Sequence, residues 1–159
     1  MSFKVDGLDE FEKQLKKAIR KSGKLYKDLQ YEVGKQHLTD AAQVLKSEGH
    51  EDSGQLIDSY ERKPHDGKKE WALFVDGDTI EVGTKVFYAN MLNDGHKLVK
   101  IKRGISKTGR ATKRKKTVGY VPGIHYNEKA LNRTKEVIPK MVEDFIKKIG
   151  KEAGFDVEK

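Results

Sequence analysis

The chain has 159 residues and a formal net charge of +8 at pH 7, with 36% charged and 35% hydrophobic residues, a balance that suits one domain with a modest core. It has no cysteine, which excludes disulfide frameworks, thiolate metal sites and thiol nucleophiles and accords with synthesis in a cytoplasm. No run approaches the roughly 18 to 20 apolar residues that span a bilayer, and Met1 to Arg20 lacks the apolar centre of a secretory signal, so neither a membrane span nor conventional secretion is expected.

In chain order, Asp6 precedes Leu8, Phe11, Leu15 and Ile19, whose spacing of three and four predicts an amphipathic helix capped by Asp6 and ended by Ser22-Gly23. Leu25, Leu29, Val33, Ala41 and Val44 or Leu45 predict a second helix with Gly34 inside it. Ser47 to Gly54 reads as a turn before a short segment from Gln55 to Ser59. The period then changes. Trp71 to Val75 and Asp78 to Val82 read as two strands joined through Asp76-Gly77, with Tyr60 to Lys63 as a candidate third strand ahead of a Pro64 to Lys69 loop.

Phe87 to Leu92 predicts a short helix or turn ending at Asp94-Gly95. From Asn127 a helical pattern runs through Leu131, Thr134, Ile138, Met141 or Val142, Phe145 and Ile149, and Pro139 is expected to kink or split it. Residues 151–159 are expected to fray. The expectation is a single α+β domain over 1–159: a small antiparallel sheet packed against two N-terminal helices and one C-terminal helix, with a long basic loop.

That loop holds the charge. Lys97, Lys100, Lys102, Arg103, Lys107, Arg110, Lys113, Arg114, Lys115 and Lys116 lie between Lys97 and Thr117 with no acidic residue among them, and removing these ten from +8 leaves the rest of the chain at −2. With Gly104 and Gly109 and no apolar periodicity, residues 97–117 are expected to form a flexible loop. Ten cations can neutralise phosphates or meet an acidic protein; the plainer account is a solvated segment. No aromatic residue lies between Lys97 and Thr117, so base stacking there is not expected.

Signals of chemistry are weak. His37, His50, His65, His96 and His125 share no metal-ligand spacing. Asp76-Gly77-Asp78 lacks the downstream residues of a calcium loop. Asp66, Glu81 and Lys85 are the carboxylate and lysine types of a magnesium nuclease, but their spacing is poor. No enzyme, cofactor or metal is expected.

Five segments, in order, carry a likeness: Gly7-Leu8-Asp9-Glu10-Phe11; Asp52-Ser53-Gly54-Gln55-Leu56 with Ser59; Ile80-Glu81-Val82-Gly83-Thr84 followed by Tyr88-Ala89; Asn93-Asp94-Gly95-His96; and Val121-Pro122-Gly123-Ile124-His125-Tyr126. In these the chain resembles the tail-completion or head-tail joining proteins of tailed phages, minor tail components encoded beside the head-closure proteins of long-tailed phages and defective prophages. The likeness covers nearly the whole chain. It departs from the pattern at Ser53, where threonine is usual, at Pro122-Gly123, where an arginine-proline-phenylalanine run is frequent, and in its longer basic loop.

The resemblance implies a non-enzymatic virion protein, made in the host bacterial cytoplasm, that forms a ring, sixfold by expectation, in the neck. Its implied partners are the tail tube or tail terminator and the head-closure proteins. Gly54, Leu56, Gly83, Tyr88, Gly95 and Pro122 are the implied structural positions, and the ten cations the implied partner or DNA contact. A nucleic-acid-binding module and a small nuclease are the alternatives.

Overall fold

The computed structural model describes residues 8–50, 54–105 and 111–154, so Asp6, Gly7, Asp52, Ser53, Lys107 and Arg110 lie outside the described residues. The fold is α+β, but several elements differ from the sequence expectation. Leu8–Ser47 form a single helix, α1, of 40 residues, where two were expected. Gly23 costs an exposed helix only about 1 kcal/mol against alanine, and buried Ala18 and Leu25 flank it on the same helix. Ser22 does not end the helix either; its hydroxyl bonds back to the Ile19 carbonyl at 2.8 Å.

Tyr126–Ala153 form the last helix, α4, which runs antiparallel to α1. Its partners fall in α1 as its own numbers rise: Lys129 meets Glu48 at 2.5 Å, Thr134 meets Asp40 at 2.7 Å, Phe145 lies 6.4 Å from Tyr26 between ring centroids, and Glu152 meets Lys21 at 2.6 Å. α1 therefore extends past the end of α4, which leaves Leu15 and Ile19 43% and 66% exposed, contrary to a buried stripe along the whole helix. Pro139 does not split α4 into two elements, and the helix continues through it to Ala153. It sits on the exposed face beside exposed Lys135, the residue whose carbonyl loses its helical donor, and water can serve that carbonyl while packing on α1 holds the helix on both sides. Gly154, at φ +88, closes α4 as a left-handed cap whose N–H reaches Gly150 and Lys151 oxygens.

Between these helices lie α2 (Gly54–Tyr60), β1 (Trp71–Asp76), β2 (Thr79–Thr84), α3 (Ala89–Asp94), β3 (Gly95–Ile105) and β4 (Ala111–Pro122). Tyr60 to Lys63 is not a strand. Leu56, Ile57 and Tyr60 are buried at helical spacing, and Tyr60 ends α2 inside the core. β1 and β2 pair antiparallel with Asp76 opposite Thr79, so the turn is Gly77-Asp78, one residue later than the Asp-Gly signal suggests. Gly77 has φ +54, the conformation its position demands.

This hairpin docks on α1 over Gly34. A Cβ there would run into the Leu73 side chain and stand 3.0 Å from Val82 Cγ1 and 3.3 Å from Ile80 Cγ2. The Gln30 amide donates to the Gly77 carbonyl at 2.9 Å. The core joins Leu38, Ala41, Val44 and Leu45 of α1 to Leu56 and Tyr60 of α2, then to Val86, Ala89, Tyr126 and Ala130. The expected single sheet is two separate two-stranded sheets, β1–β2 and β3–β4. Among the described residues no helix is long and apolar enough to cross a membrane.

Candidate interaction surface

The segment expected as a basic flexible loop is, over its described residues, a β-hairpin. β3 and β4 pair antiparallel from Gly95↔Pro122 to Ile105↔Ala111, with a register shift between Leu98 and Val99. At about 3.3 Å per residue, the 11 residues of β3 reach on the order of 35 Å. Val99-Lys100-Ile101-Lys102 alternates and Thr117-Val118-Gly119-Tyr120-Val121 is rich in β-branched and aromatic types. That was the strand signal, hidden by cations at the alternating positions.

Beyond α3 at its base the hairpin has no substantial neighbour among the described residues. Residues opposite each other share a face, so Val99 with Thr117 and Ile101 with Lys115 line one side, and Leu98 with Gly119 and Lys100 with Lys116 the other. Both sides are open: Ile101 is 52% exposed and Val118 56%, and Leu98, Val99 and Tyr120 are exposed as well. Nearer the tip, the register sets Lys100 opposite Lys116, Lys102 opposite Arg114 and Arg103 opposite Lys113. Like charges directly opposite destabilise a sheet by up to about 1 kcal/mol each, and isolated two-stranded hairpins are marginal in water. The sequence spends local stability on a basic, partly aliphatic finger.

The base of the finger is built more tightly than its length. Gly95 has φ +82, and a Cβ on it would stand 2.5 Å from the Val121 carbonyl oxygen and 2.6 Å from the Gly123 nitrogen. A Cβ on Gly123 would likewise fall among Asn93, Asp94 and Gly95 backbone atoms. The Tyr120 hydroxyl donates to the Asp94 carbonyl at 2.7 Å, and buried Asn93 accepts the Asn127 N–H at 3.0 Å through Oδ1. Backbone N–H groups of Ile124 and His125 reach the Leu92 and Asn93 carbonyls, both at 3.0 Å. Two motifs far apart in sequence thus meet to plant the hairpin on the start of α4.

The other motif residues also meet in the body. The Ser59 and Thr84 hydroxyls are 2.8 Å apart, and Thr84 Oγ1 accepts the Val86 N–H at 3.1 Å. Gln55 donates to both Glu70 carboxylate oxygens at 2.9 and 2.7 Å. Leu56 is fully buried, Tyr88 packs half-buried against the core, and the Tyr60 and Tyr126 hydroxyls lie 3.0 Å apart inside it. Burial raises the pKa of both phenols, which keeps them neutral partners. Gly83 and Gly54 are different: a Cβ on either meets nothing within 4 Å, so space does not require glycine there. Pro122 is exposed at the end of β4.

Residues considered for chemistry stay apart. Glu81 is exposed on β2 opposite Phe74, Asp66 sits in the loop before β1, and no hydrogen bond or ion pair joins them to each other or to Lys85. His65 pairs with Asp58 at 3.0 Å, which raises its pKa; burial lowers that of His37, which faces Thr134 and Asp40. Among the described residues no group of three or more His, Cys, Asp or Glu side chains is placed to hold a metal ion. No protein-family profile, curated protein or solved structure matches this chain.

Proposed function

We propose that the protein is a structural, non-enzymatic subunit of the head-tail joint of a tailed phage, assembled as a ring in the virion neck. The observation that carries this reading is the β3–β4 finger, whose two faces carry exposed aliphatic side chains and cations and find no cover among the described residues. Surface of that kind is retained for a partner. The motifs behind the resemblance support it from another side: Ser59 with Thr84, and Asn93-Gly95 with Tyr120-Gly123, serve packing and the base of the finger. The partners on this reading are further copies, the tail tube or tail terminator, and the head-closure proteins.

The test is genetic and microscopic. A phage or prophage lacking this chain, complemented in trans, is expected to give full heads and finished tails that stay apart without complementation, and labelled protein is expected at the neck of joined particles. Joined, infectious particles without the chain would overturn the reading. A second reading rests on the ten cations between Lys97 and Thr117, unmixed with acid: a module that grips nucleic-acid backbone. It predicts duplex binding by the isolated chain whose logarithmic affinity falls linearly with the logarithm of salt concentration, at about 0.9 per phosphate neutralised, with no preference for sequence.

A further inference from the structure

The finger has an unusual mixture of side chains for a polyanion grip. Leu98, Val99, Ile101 and Val118 are exposed on it, and a phosphate backbone would leave those aliphatic surfaces in water. Burying them needs a partner with an apolar floor, and accepting the neighbouring lysines needs an acidic rim. An open groove among the described residues has both.

It lies between α1 and α4, with a volume of about 280 Å³, room for a few aliphatic side chains. Leu25, Leu29, Met141 and Phe145 form its apolar part. Asp28, Glu32 and Asp144 supply carboxylates and Lys148 the one cation. Glu32 already meets Lys35 at 2.6 Å and Asp144 lies close enough to Lys147 to help raise that lysine's pKa, whereas Asp28 makes no hydrogen bond or ion pair with any described residue. The groove is set apart from the finger within one chain: its α4 residues, Met141 to Lys148, lie well along the helix from Tyr126, where the finger is rooted.

We infer that the β3–β4 finger of one copy docks in the α1–α4 groove of the next, with Val99 and Ile101 on the apolar floor and Lys113 and Lys115 toward Asp28 and Asp144. The contact is head-to-tail, using two different patches of each subunit. Repetition of such a contact closes a ring when the rotation allows. This deepens the ring reading above and rests on it only for the number of copies and their place in the particle.

The absence of native cysteine makes the contact directly testable in the full-length chain. Ile101→Cys and Lys148→Cys place one thiol on the finger and one at the groove, and Glu81→Cys, exposed on β2, serves as control. Mixing the Ile101→Cys and Lys148→Cys chains with a short bifunctional maleimide is expected to give a mixed dimer on the order of tenfold above the Ile101→Cys with Glu81→Cys control, and Asp28→Lys with Asp144→Lys in the groove chain is expected to remove that excess. Yield equal to the control overturns the inference. So does preferential Ile101→Cys self-coupling, which would make the contact finger to finger. Failure to cross-link combined with steeply salt-dependent duplex binding would make the finger a nucleic-acid arm instead.

Sedimentation gives a second measure that does not depend on cross-linking. Mixing Ile101→Glu chains with Asp28→Lys/Asp144→Lys chains leaves one intact finger and one intact groove between the two. The mixture is expected to form a heterodimer and nothing larger, while the parent chain forms larger species as concentration rises; larger species from the mixture, or none from the parent, overturn the inference. Neck labelling of the particle distinguishes the two proposals. Labelled necks without cross-linking would sink only the docking contact, and cross-linking with no protein at the neck would sink only the phage reading.

Discussion

Two glycines of α1 look alike in sequence and have opposite roles. At Gly23 a Cβ meets nothing within 4 Å, whereas at Gly34 it strikes the β1–β2 hairpin. Gly23→Ala is therefore expected to raise stability by about 0.5–1 kcal/mol, the backbone entropy that glycine forfeits. Gly34→Ala is expected to lower it by about 1–3 kcal/mol, because the packed hairpin has to move. Chemical denaturation of both variants checks the pair; equal shifts of the same sign would refute the docking over Gly34.

His37 gives a pH test at the same scale. Burial lowers its pKa, and Asp40 only partly opposes that, so the unfolded chain takes up the proton more readily than the folded one. Its contribution is present above the ordinary histidine pKa of about 6.5 and is lost as pH falls through the lower folded value. His65 has the opposite sign: its hydrogen bond to Asp58 raises its pKa, so it stabilises at low pH and that contribution fades as pH rises through the raised value. Its side chain is 38% exposed, which weakens the effect. The fall in denaturation midpoint from pH 7 to pH 5 is expected to flatten in His37→Gln and to steepen slightly in His65→Gln.

At the scale of elements, the long helices carry the body and hold against their own breakers. Pro139 removes one hydrogen bond from α4 while the helix stays continuous, so Pro139→Ala is expected to raise the thermal midpoint, by about 1–2 kcal/mol of stability; the full cost near 3 kcal/mol is reduced by proline's stiffening of the unfolded chain. A lowered midpoint would mean that the ring of Pro139 has a packing role. The exposed start of α1 predicts the reverse of a buried stripe. Leu15→Asp is expected to change stability by no more than about 0.5 kcal/mol, as for ordinary surface positions, and Phe145→Asp, beside Tyr26, by several times that.

For the whole molecule, the division is between a body that folds and a finger that reaches. Deleting Gly104 to Lys116 and closing the gap with a short linker removes the outer part of β3–β4 and none of the core. Stability is expected to stay within about 1 kcal/mol, since loop-length entropy changes slowly. Head-tail joining is expected to fail in a complementation assay on the proposed reading. Charge reversal at Lys113 and Lys115 is expected to act in the same direction, and more strongly as salt is lowered. Unfolding of the deletion would show that the finger supports the body, and normal particle yield from both variants would show that its charge is passive.

The sequence by itself was enough for the α+β class, the β1–β2 hairpin and the α4 pattern, because these rest on period and turn chemistry that act over a few residues, and it left α3 open between a short helix and a turn. It also marked the residues at the base of the finger, Gly95 and Pro122-Gly123, though not why they matter. Only the tertiary structure decided that α1 is one helix: the cost of Gly23 is local and small, while the packing of α1 on α4 spans many turns. It also decided that the basic segment pairs with itself. Strand pairing depends on a partner between 6 (Ile105 with Ala111) and 27 (Gly95 with Pro122) residues away in sequence, and the cations that alternate with Val99 and Ile101 mask the pattern in any single window. The groove between α1 and α4, formed by side chains more than a hundred residues apart, had no signal that a linear reading could detect.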